Sequence, residues 1–499
     1  MNNNFDFSQF SHQSKKGILI IYANLLFKFL KATWVLLFLF LKDFSKFTDQ
    51  ILNYIYLGLG VLLVLIFIRA YLLFKNFQFK IDNGYFVLKQ GILKKTNTSI
   101  SFDRIQNINF KQNLIQQFID VYQVNIETAG SNKTEISIKA LSFKEAQSLK
   151  SQLSSGDKKA IIIEDEIEEK PFLKISPLEL LKVSLTENHI QSLLIFVALL
   201  VGLFQQLQEV FKGFGKDNLI DDYIEIGNNA FHENILLFIV LFIFLIFAAV
   251  ISSFVRVFLV HFNLTVFKKN NAFEIYQGLL TKKSIILKKD KIQNITISHN
   301  PIKKKLGIYF VTFKQAISGK VNKKKDKLIR IVGCKIAQVE MIKELLFNYK
   351  NLEKTEKKLS DSYLKRRMYF RSFFIFLILN VFFYFGFENF KIFFINVLLI
   401  PIFIFLIELT FKKRFYKTNE DLLLVGNGSI ETHHTYLPFF KVQNIKLKQT
   451  FFQERKKVAD LVFQTASGKV KIPCLELSEA LKIYNHTLFK VESSKNPWM

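Results

Sequence analysis

The sequence predicts an integral membrane protein in which six transmembrane α-helices form three hairpins, each followed by a β-rich module. Three observations lead to this fold class. Half of the 499 residues are hydrophobic although the formal net charge is +28, so apolar and basic residues must be separated along the chain. Six apolar stretches are long enough to cross a bilayer. One short motif recurs three times, which indicates an internal repeat.

The six apolar stretches are candidate membrane spans. A helix needs about 20 mostly apolar residues to cross the hydrocarbon core. These stretches are apolar all round rather than along one stripe, which is typical of membrane helices and not of helices on a soluble domain. They run over about residues 18–41, 54–74, 186–207, 235–257, 369–387 and 393–411.

The first stretch contains two lysines near its middle, Lys28 and Lys31. A lysine at the bilayer centre costs roughly 2.5–3.5 kcal/mol on insertion scales. Residues 18–30 could therefore lie in the membrane interface as an amphipathic helix. Alternatively, the stretch spans the membrane fully and both lysines face neighbouring helices.

Loop charge predicts the orientation. Residues 263–368 hold 26 Lys and Arg against eight Asp and Glu, whereas residues 212–233 hold two basic and five acidic residues. Basic loops remain on the cytoplasmic side of a membrane. We therefore expect a multi-pass protein of the bacterial cytoplasmic membrane, with the modules and both termini in the cytoplasm.

The repeat is centred on a basic residue followed by a branched apolar residue and Gln-Asn-Ile. It occurs at residues 104–108, 291–295 and 441–445. Fifteen residues before the Gln of each copy stand Gly91, Gly278 and Gly428. Apolar residues also agree between the copies at Phe110/Ile297/Leu447, Ile115/Ile302/Phe452, Val121/Ile308/Val458 and Val124/Val311/Leu461.

Each repeat has the pattern of strands followed by one helix. Ile108 and Phe110 alternate with polar residues, a period of two that indicates a strand. The glycines follow strand-like runs, where a turn with positive φ favours glycine. Amphipathic helices are expected near residues 143–153, 336–346 and 478–489, and Ser142 and Glu145 have capping-box spacing.

These observations divide the chain into hairpins, modules and linkers. The expected boundaries are an N-terminal segment 1–17, hairpin 1 at 18–75, module 1 at 76–154, an acidic linker at 155–184, hairpin 2 at 185–262, module 2 at 263–348, a charged linker at 349–367, hairpin 3 at 368–411 and module 3 at 412–492.

The three modules resemble the bacterial pleckstrin-homology-like (bPH) domain. The resemblance rests on the glycine after the first strand-like run, the basic-Ile-Gln-Asn-Ile segment, the turn at residues 112–115 and the strand that reaches Thr128-Ala129-Gly130. It implies a seven-stranded, strongly bent β-sandwich closed by a C-terminal helix. With three hairpin-plus-module units, the whole chain resembles membrane proteins of this family.

The sequence departs from the family pattern in the turn after the Gln-Asn-Ile strand. The family usually has an Arg and a Gly there. Module 1 has Gln117 and Asp120, module 2 has Lys304 and Gly307, and module 3 has Glu454 and Lys457. An anion site that uses the Arg is therefore not expected in modules 1 and 3.

The sequence contains no recognisable catalytic constellation, and we expect no enzyme activity, no cofactor and no metal site. A glycine-rich phosphate loop and a GxSxG elbow are both missing. His433 and His434 are adjacent, so on a strand they point to opposite faces and are poorly placed to chelate one metal. We interpret that segment as an exposed hairpin tip.

Two sets of residues are candidates for binding. Basic clusters next to membrane spans favour anionic lipid headgroups over nucleic acid, because such headgroups attract nearby lysines at about 1 kcal/mol each. The repeated polar segment is the second candidate, although it could equally form backbone contacts at a strand edge. The lipid-facing candidates are Lys282, Lys283, Lys303, Lys304 and Lys305, and the candidate interaction surface is Arg104, Gln106, Asn107, Lys291, Gln293, Asn294, Lys441, Gln443 and Asn444.

The sequence therefore favours a non-enzymatic membrane scaffold whose modules bind anionic lipid or partner proteins. The expected partner is a second copy or a smaller related membrane protein, and the resemblance is compatible with a role in envelope integrity or in protection against antimicrobial peptides. The alternative is a transporter, or a transporter subunit, with regulatory modules. It would require a water-filled path lined by Lys28 and Lys31.

Overall fold

Within the residues that it describes, the computed structural model contains six long helices in three pairs, together with shorter helices and four β-sheets. It describes residues 5–42, 48–128, 136–154, 171–187, 189–213, 235–269, 272–315, 329–347, 357–358, 361–387 and 392–494. The helices are α1 (Gly17–Lys42), α2 (Asp49–Lys75), α3 (Leu114–Phe118), α4 (Phe143–Ser154), α5 (Pro177–Leu185), α6 (His189–Gly213), α7 (Ile235–His261), α8 (Pro301–Lys305), α9 (Ile336–Leu346), α10 (Asp361–Phe387), α11 (Ile392–Lys412), α12 (Phe451–Glu454) and α13 (Leu477–Ser493).

The long helices pack as α1 with α2, α6 with α7 and α10 with α11. Three of them are long and apolar enough to cross a membrane within the described residues, over Asp49–Lys75, Ser192–Glu209 and Ile239–His261. Few of their side chains are buried inside the protein, as expected for helices that are apolar all round and contact lipid. That α1, α10 and α11 also span the membrane remains a prediction.

The strands follow the sequence repeat. When the two-residue strand that precedes each helix pair is counted with the module that follows it, each module contributes, within the described residues, four strands, then a 3₁₀ turn, then three strands. The strands are β1 (Ser11–His12), β2 (Gln78–Asp82), β3 (Tyr85–Gln90), β4 (Thr96–Ser101), β5 (Ile105–Gln112), β6 (Tyr122–Thr128), β7 (Ile136–Leu141), β8 (Leu173–Lys174), β9 (Thr265–Lys269), β10 (Ala272–Gln277), β11 (Lys282–Lys288), β12 (Ile292–His299), β13 (Tyr309–Gln315), β14 (Ile329–Cys334), β15 (Lys357–Lys358), β16 (Phe415–Thr418), β17 (Leu422–Gly428), β18 (Thr432–Pro438), β19 (Val442–Lys448), β20 (Val458–Thr465) and β21 (Gly468–Glu476).

The sheets do not respect the module boundaries. Strands β1–β4 form one sheet and β19–β21 another. Between them lie two seven-stranded sheets, ordered β7-β6-β5-β11-β10-β9-β8 and β14-β13-β12-β18-β17-β16-β15. Each seven-stranded sheet thus joins the last three strands of one module to the first four strands of the next. We call the contacts β5–β11 and β12–β18 the module junctions.

Each module nevertheless has its own core between its two half-sheets. The core of module 1 includes Phe79, Phe86 and Ile126. The core of module 2 includes Phe273 and Phe313 and also takes in Leu422, Leu424 and Tyr436 from module 3. Burial of apolar surface at the second junction therefore stabilises both modules together.

The closing helices and turn glycines lie where the sequence predicts. Helices α4, α9 and α13 each bury one face against their module, and α4 begins with the expected capping box between Ser142 and Glu145. The glycines Gly91, Gly278 and Gly428 have φ of +113°, +108° and +123°. At each of them a Cβ would come within about 2 Å of a backbone oxygen, so only glycine fits.

The ends of the predicted linkers are structured. Leu173 and Lys174 form β8, and Ile175 is buried in the core of module 2. Helix α5 follows with a capping box between Ser176 and Glu179. The acidic part of the first linker, residues 155–170, and residues 348–356 and 359–360 of the second lie outside the described residues.

Candidate functional site

The basic residue of each repeat lies at the end of a 3₁₀ turn that precedes a junction strand. These turns are Phe102–Arg104, Lys289–Lys291 and Phe439–Lys441. The following Gln and Asn are the second and third residues of β5, β12 and β19. The repeated segment thus lies at the start of β5 and β12, which pair with the next module, and of β19, which is an outer strand.

At the second junction the repeated segment is buried. Gln293 and Asn294 are fully covered, and Asn294 Nδ2 donates a hydrogen bond of 2.8 Å to Ser467 Oγ in the β20–β21 turn. Lys441 Nζ donates to the backbone oxygen of Asp290 at 2.8 Å. Burial lowers the pKa of Lys441 to about 8, as desolvation disfavours the charged amine.

The other copies of the segment have different surroundings. Gln443 and Asn444 are exposed on β19, which is an outer strand of its sheet. Arg104 is also exposed, and Lys291 is partly exposed. The side chains of Gln106 and Asn107 lie outside the described part of the structure. The nine candidate residues therefore do not form one common exposed surface.

The predicted lipid-facing lysines divide into two groups. Lys282, Lys283, Lys304 and Lys305 are exposed. Lys303 departs from the expectation because its side chain is only 3 % exposed. The repeat explains this difference, since Gln116 and Gln453 hold the equivalent position and are buried too.

Lys303 forms an ion pair across the second junction. Its Nζ lies 2.9 Å from Glu431 Oε1 and 3.8 Å from the centre of the Phe310 ring. Burial lowers the pKa of Lys303 even though the Glu431 carboxylate opposes this shift. Burial alone would raise the pKa of Glu431, but the hydrogen bond and charge of Lys303 outweigh it and lower that pKa. This ion pair connects module 2 to module 3.

The histidine pair lies at the same junction, so the interpretation as an exposed hairpin tip is wrong. Strand β18 is paired on both sides, with β17 and with β12. The His434 ring is 5.3 Å from the Phe415 ring and 5.9 Å from the His299 ring. No group of three His, Cys, Asp or Glu suited to a metal occurs within the described residues.

A basic cavity of about 320 Å³ lies where the third helix pair meets module 3. Arg367 and Arg371 of α10 line it together with Arg414, which follows α11, and Lys471 of β21. Apolar side chains such as Leu364 and Met368 form much of the remaining wall. The volume is within the range of small-molecule sites. We call this the hairpin-3 cavity.

One buried carboxylate partly balances these charges. Asp460 accepts hydrogen bonds from Arg367 Nη1 at 3.3 Å, Lys471 Nζ at 2.8 Å and the Cys474 backbone N–H at 2.8 Å. Burial opposes ionisation of Asp460, but these donors outweigh it and lower the pKa of the carboxyl. With four basic residues lining the cavity and one carboxylate behind them, the cavity stays positive.

Arg414 contributes a charge that is half-buried. Burial lowers the pKa of Arg414, yet a guanidinium stays protonated in proteins. An anion in the cavity would therefore stabilise it. Sequence reasoning missed the cavity, although one signal was present: basic residues 365–367 and 412–414 stand directly before and directly after predicted hairpin 3.

The two lysines required by the transporter alternative lie on α1, and the alternative remains a prediction. Lys28 and Lys31 are exposed on α1. The first turns of α1 instead pack on module 1, where Ile20 contacts a cluster with Val121 and Ala140. In the third helix pair, Glu408 bonds to Lys365 and Tyr369, so it is a structural ion pair between α10 and α11.

Comparison with known proteins identifies the modules. The family described as "Bacterial PH domain" matches residues 35–157, 197–350 and 374–489, which is most of the chain. The chain belongs to the bacterial PH domain family. It is also similar to the UPF0699 transmembrane protein YdbT of Bacillus subtilis (strain 168), with 25% identity over 420 residues, 81% of this chain and 82% of that protein. The three matches confirm the internal repeat.

The three bacterial PH domains share a turn geometry despite their different turn residues. Asp120, Gly307 and Lys457 hold one repeat position and have φ of +52°, +68° and +52°. The glycine expected from the family is kept only at Gly307, and the other two domains place a side chain in the same left-handed conformation. At the Arg position of module 1, Gln117 Nε2 donates to the backbone oxygens of Leu279 and Leu280.

Proposed function

We propose that this protein is a non-enzymatic scaffold of the bacterial cytoplasmic membrane that binds anionic lipid headgroups through its bacterial PH domains. In this proposal all six long helices span the membrane. The domains and both termini lie in the cytoplasm, where the excess of basic residues in the long loops favours them.

The hairpin-3 cavity carries the proposal. Its guanidinium groups come from the amino-terminal half of α10 and from the residue pair after α11, and part of its wall comes from β17 and β21 of module 3. Basic pockets between helix ends at the cytoplasmic surface suit phosphate headgroups. Arginine binds phosphate oxygens with paired hydrogen bonds. The apolar part of the wall suits the glycerol backbone and the first methylenes of a lipid.

The exposed lysines give a weaker, less specific contribution. Lys282, Lys283, Lys304 and Lys305 add positive charge to the surface of module 2. Such lysines attract an anionic surface within about one Debye length. This attraction should fall with salt, whereas binding in the hairpin-3 cavity should be less sensitive because its charges are partly buried.

The test is ligand-induced stabilisation of the purified full-length protein in a neutral detergent. A ligand that binds only the folded state raises the melting temperature according to its concentration and Kd. We expect short-chain phosphatidylglycerol to raise the melting temperature and short-chain phosphatidylcholine to have little effect. Arg371→Gln should remove most of this stabilisation.

Arg366→Gln is the matched control, because Arg366 is exposed on the same helix, carries the same charge and does not line the cavity. Inorganic phosphate and glycerol phosphate separate the headgroup from a free anion. Equal stabilisation by phosphate would indicate a soluble-anion site. Equal loss in both Arg variants, or no stabilisation by phosphatidylglycerol, would contradict the proposed cavity.

A further inference from the structure

The two module junctions have the same strand register. At the first junction Phe110 of β5 lies opposite Ser284 of β11. At the second, Ile297 of β12 lies opposite His434 of β18. Phe110 and Ile297 each stand four residues after the repeated Gln, and Ser284 and His434 each stand nine residues before it. The junction is therefore one repeated mode of association and not two unrelated contacts.

At both junctions one lysine of the closing helix contacts the next module, and the two lysines hold the same repeat position. Lys150 of α4 stands nine residues after Leu141, which pairs with Tyr122 at the start of β6. Lys343 of α9 stands nine residues after Cys334, which pairs with Tyr309 at the start of β13. Lys150 Nζ lies 2.8 Å from Glu274 of the next module. Lys343 Nζ lies 5.6 Å from the centre of the Tyr436 ring of the next module.

Within the described residues, module 3 has one strand of this junction without its partner strand, and module 1 has the other. Strand β19 is the counterpart of β5 and β12, and it is an outer strand of its sheet. Strand β4 is the counterpart of β11 and β18 and is also an outer strand. An outer strand offers backbone N–H and C=O groups for pairing with another chain.

The groove between β19 and α13 is open, whereas the equivalent groove of module 2 is filled by the next module. A cavity of about 470 Å³ lies between β19 and α13, lined by Ile445, Leu447, Leu481 and Tyr484 together with Lys446 and Lys448 of the strand edge. Tyr484 holds the helix position of Lys150 and Lys343, because it stands nine residues after Leu475, the partner of Ala459, which has the repeat position of Tyr122 and Tyr309. In module 2 the corresponding space receives side chains of the following module, including Tyr436, whose ring stacks on Phe347 at 6.4 Å.

The surface of β3 and β4 has side chains that suit this groove. Val87 and Ser99 hold the positions of Glu274 and Tyr436, the residues that meet the closing helix at the two junctions. Tyr85, at the position of Leu422, is 49% exposed. Tyr484 and Leu481 would therefore meet Val87 and Tyr85, an apolar contact on both sides.

We propose that β19 of one copy of this protein pairs with β4 of a second copy in the register of the internal junctions. Leu447 then lies opposite Asn97, and Lys446 lies opposite Thr98. The inference rests on the sheet topology and does not depend on lipid binding. Because the two surfaces differ, the contact is heterologous and leads to a closed ring or to an open chain of copies.

Lysines on the β19 edge do not argue against this pairing. Edge lysines often protect a strand from association. At the first junction, however, Lys111 lies directly opposite Lys283 and the strands still pair. The proposed contact places no lysine opposite Lys446 or Lys448, since residues 96–99 are Thr, Asn, Thr and Ser.

Cysteine cross-linking of full-length copies tests the register. The equivalent internal pair, Thr296 and Thr435, has its hydroxyl oxygens 3.1 Å apart. Two differently tagged copies, one with Thr98→Cys and one with Lys446→Cys, are expressed together in one membrane and mildly oxidised. We expect a disulfide-linked dimer that contains both tags. Cys334 and Cys474 are buried and should contribute little background.

Two controls make the outcome decisive. Thr296→Cys with Thr435→Cys in one chain should form an internal disulfide, which shows that the oxidation works at this geometry. Each single variant expressed alone should give no dimer. Absence of the mixed dimer while the internal disulfide forms would overturn the inference. Dimers from one single variant alone would also overturn it, because they indicate a two-fold symmetric contact.

Charge exchange provides a second test by mass measurement in detergent. Thr98→Lys places like charges opposite each other and should weaken association about fivefold. Adding Lys446→Glu to Thr98→Lys should restore the mass of the oligomer. A monomeric wild-type protein, or a mass that neither change affects, would contradict the proposed contact.

Discussion

At the scale of single residues, the turn glycines show which positions permit only one amino acid. Gly278 combines a φ of +108° with a site where a Cβ would lie 2.1 Å from the Thr281 oxygen. Gly307 has a φ of +68° and open space around the Cβ position. The two glycines lie in the same module, so they form a matched pair.

We predict that Gly278→Ala destabilises the protein by more than about 2 kcal/mol, because backbone strain and a steric clash add. Gly307→Ala should cost only about 1 kcal/mol, the penalty of a side chain in the left-handed region. Thermal unfolding of both variants, monitored by circular dichroism, measures the difference. Equal losses would show that the clash at Gly278 is relieved by movement of the turn.

The residue scale also shows why part of the site could be predicted and part could not. The glycines and the Ser142–Glu145 box follow from neighbours within a few residues, and sequence spacing reports these directly. The burial of Lys303 depends on Glu431, which lies 128 residues further along the chain. Comparison of Lys303 with Gln116 and Gln453 was the one local signal that its position is buried.

At the scale of elements, the β12–β18 junction is sensitive to acid. His434 of β18 faces Phe415 and His299, and the charges of Lys343 and Lys417 act on it. Burial is the main cause that lowers the pKa of His434 to about 4. His299 and His433 have lowered pKa values for the same reason.

We predict that the free energy of unfolding falls by about 2 kcal/mol between pH 7 and pH 5. In that range the unfolded chain binds a proton at His434, whose ordinary pKa is near 6.5, whereas the folded chain does not. Stability is therefore complete above pH 6.5 and decreases towards pH 4. His434→Gln should flatten the dependence, as measured by thermal unfolding across this range.

The matched control is His12→Gln, because His12 is exposed and far from the junctions in sequence. This change should leave the pH dependence as it is in the wild-type protein. If His434→Gln keeps the full dependence, other junction groups must take up the proton, with His299 the first to examine.

The elements that sequence patterns predicted best are those that fold within one module. Six of the seven described strands of each module lie within the predicted module boundaries, whereas the two-residue strands β1, β8 and β15 lie before the helix pairs, in the predicted N-terminal segment and linkers. The pairing of β5 with β11 was not predictable, because an outer strand of one module carries no sign of which distant strand will cover it. The same missing information led to the wrong interpretation of His433 and His434.

At the scale of the whole molecule, the two shared sheets join the three modules into one continuous body through strand pairing. Each junction also fixes the distance between neighbouring helix pairs, since every pair leads directly into its module. The expected orientation places this body on the cytoplasmic side, which can be tested without knowledge of a ligand.

We predict that Lys282→Cys reacts with a membrane-impermeant maleimide only after cells are permeabilised. Lys282 is exposed on β11, and the two native cysteines are buried, so labelling reports this site. Asp221→Cys, in the short acidic loop expected to face outward, should react in intact cells. Labelling of Lys282→Cys in intact cells would reverse the proposed orientation.

The shared sheets also determine the order in which strands can pair during synthesis. Strand β5 ends at Gln112, and its partner β11 begins at Lys282. At roughly 5–20 residues per second, the ribosome takes about 9–34 s to supply that partner. During this interval β5 is an outer strand whose backbone groups are available to a wrong partner strand. The charge of Lys111 disfavours such pairing. The two shared sheets therefore form in order from the amino-terminal end, the β5–β11 junction before the β12–β18 junction.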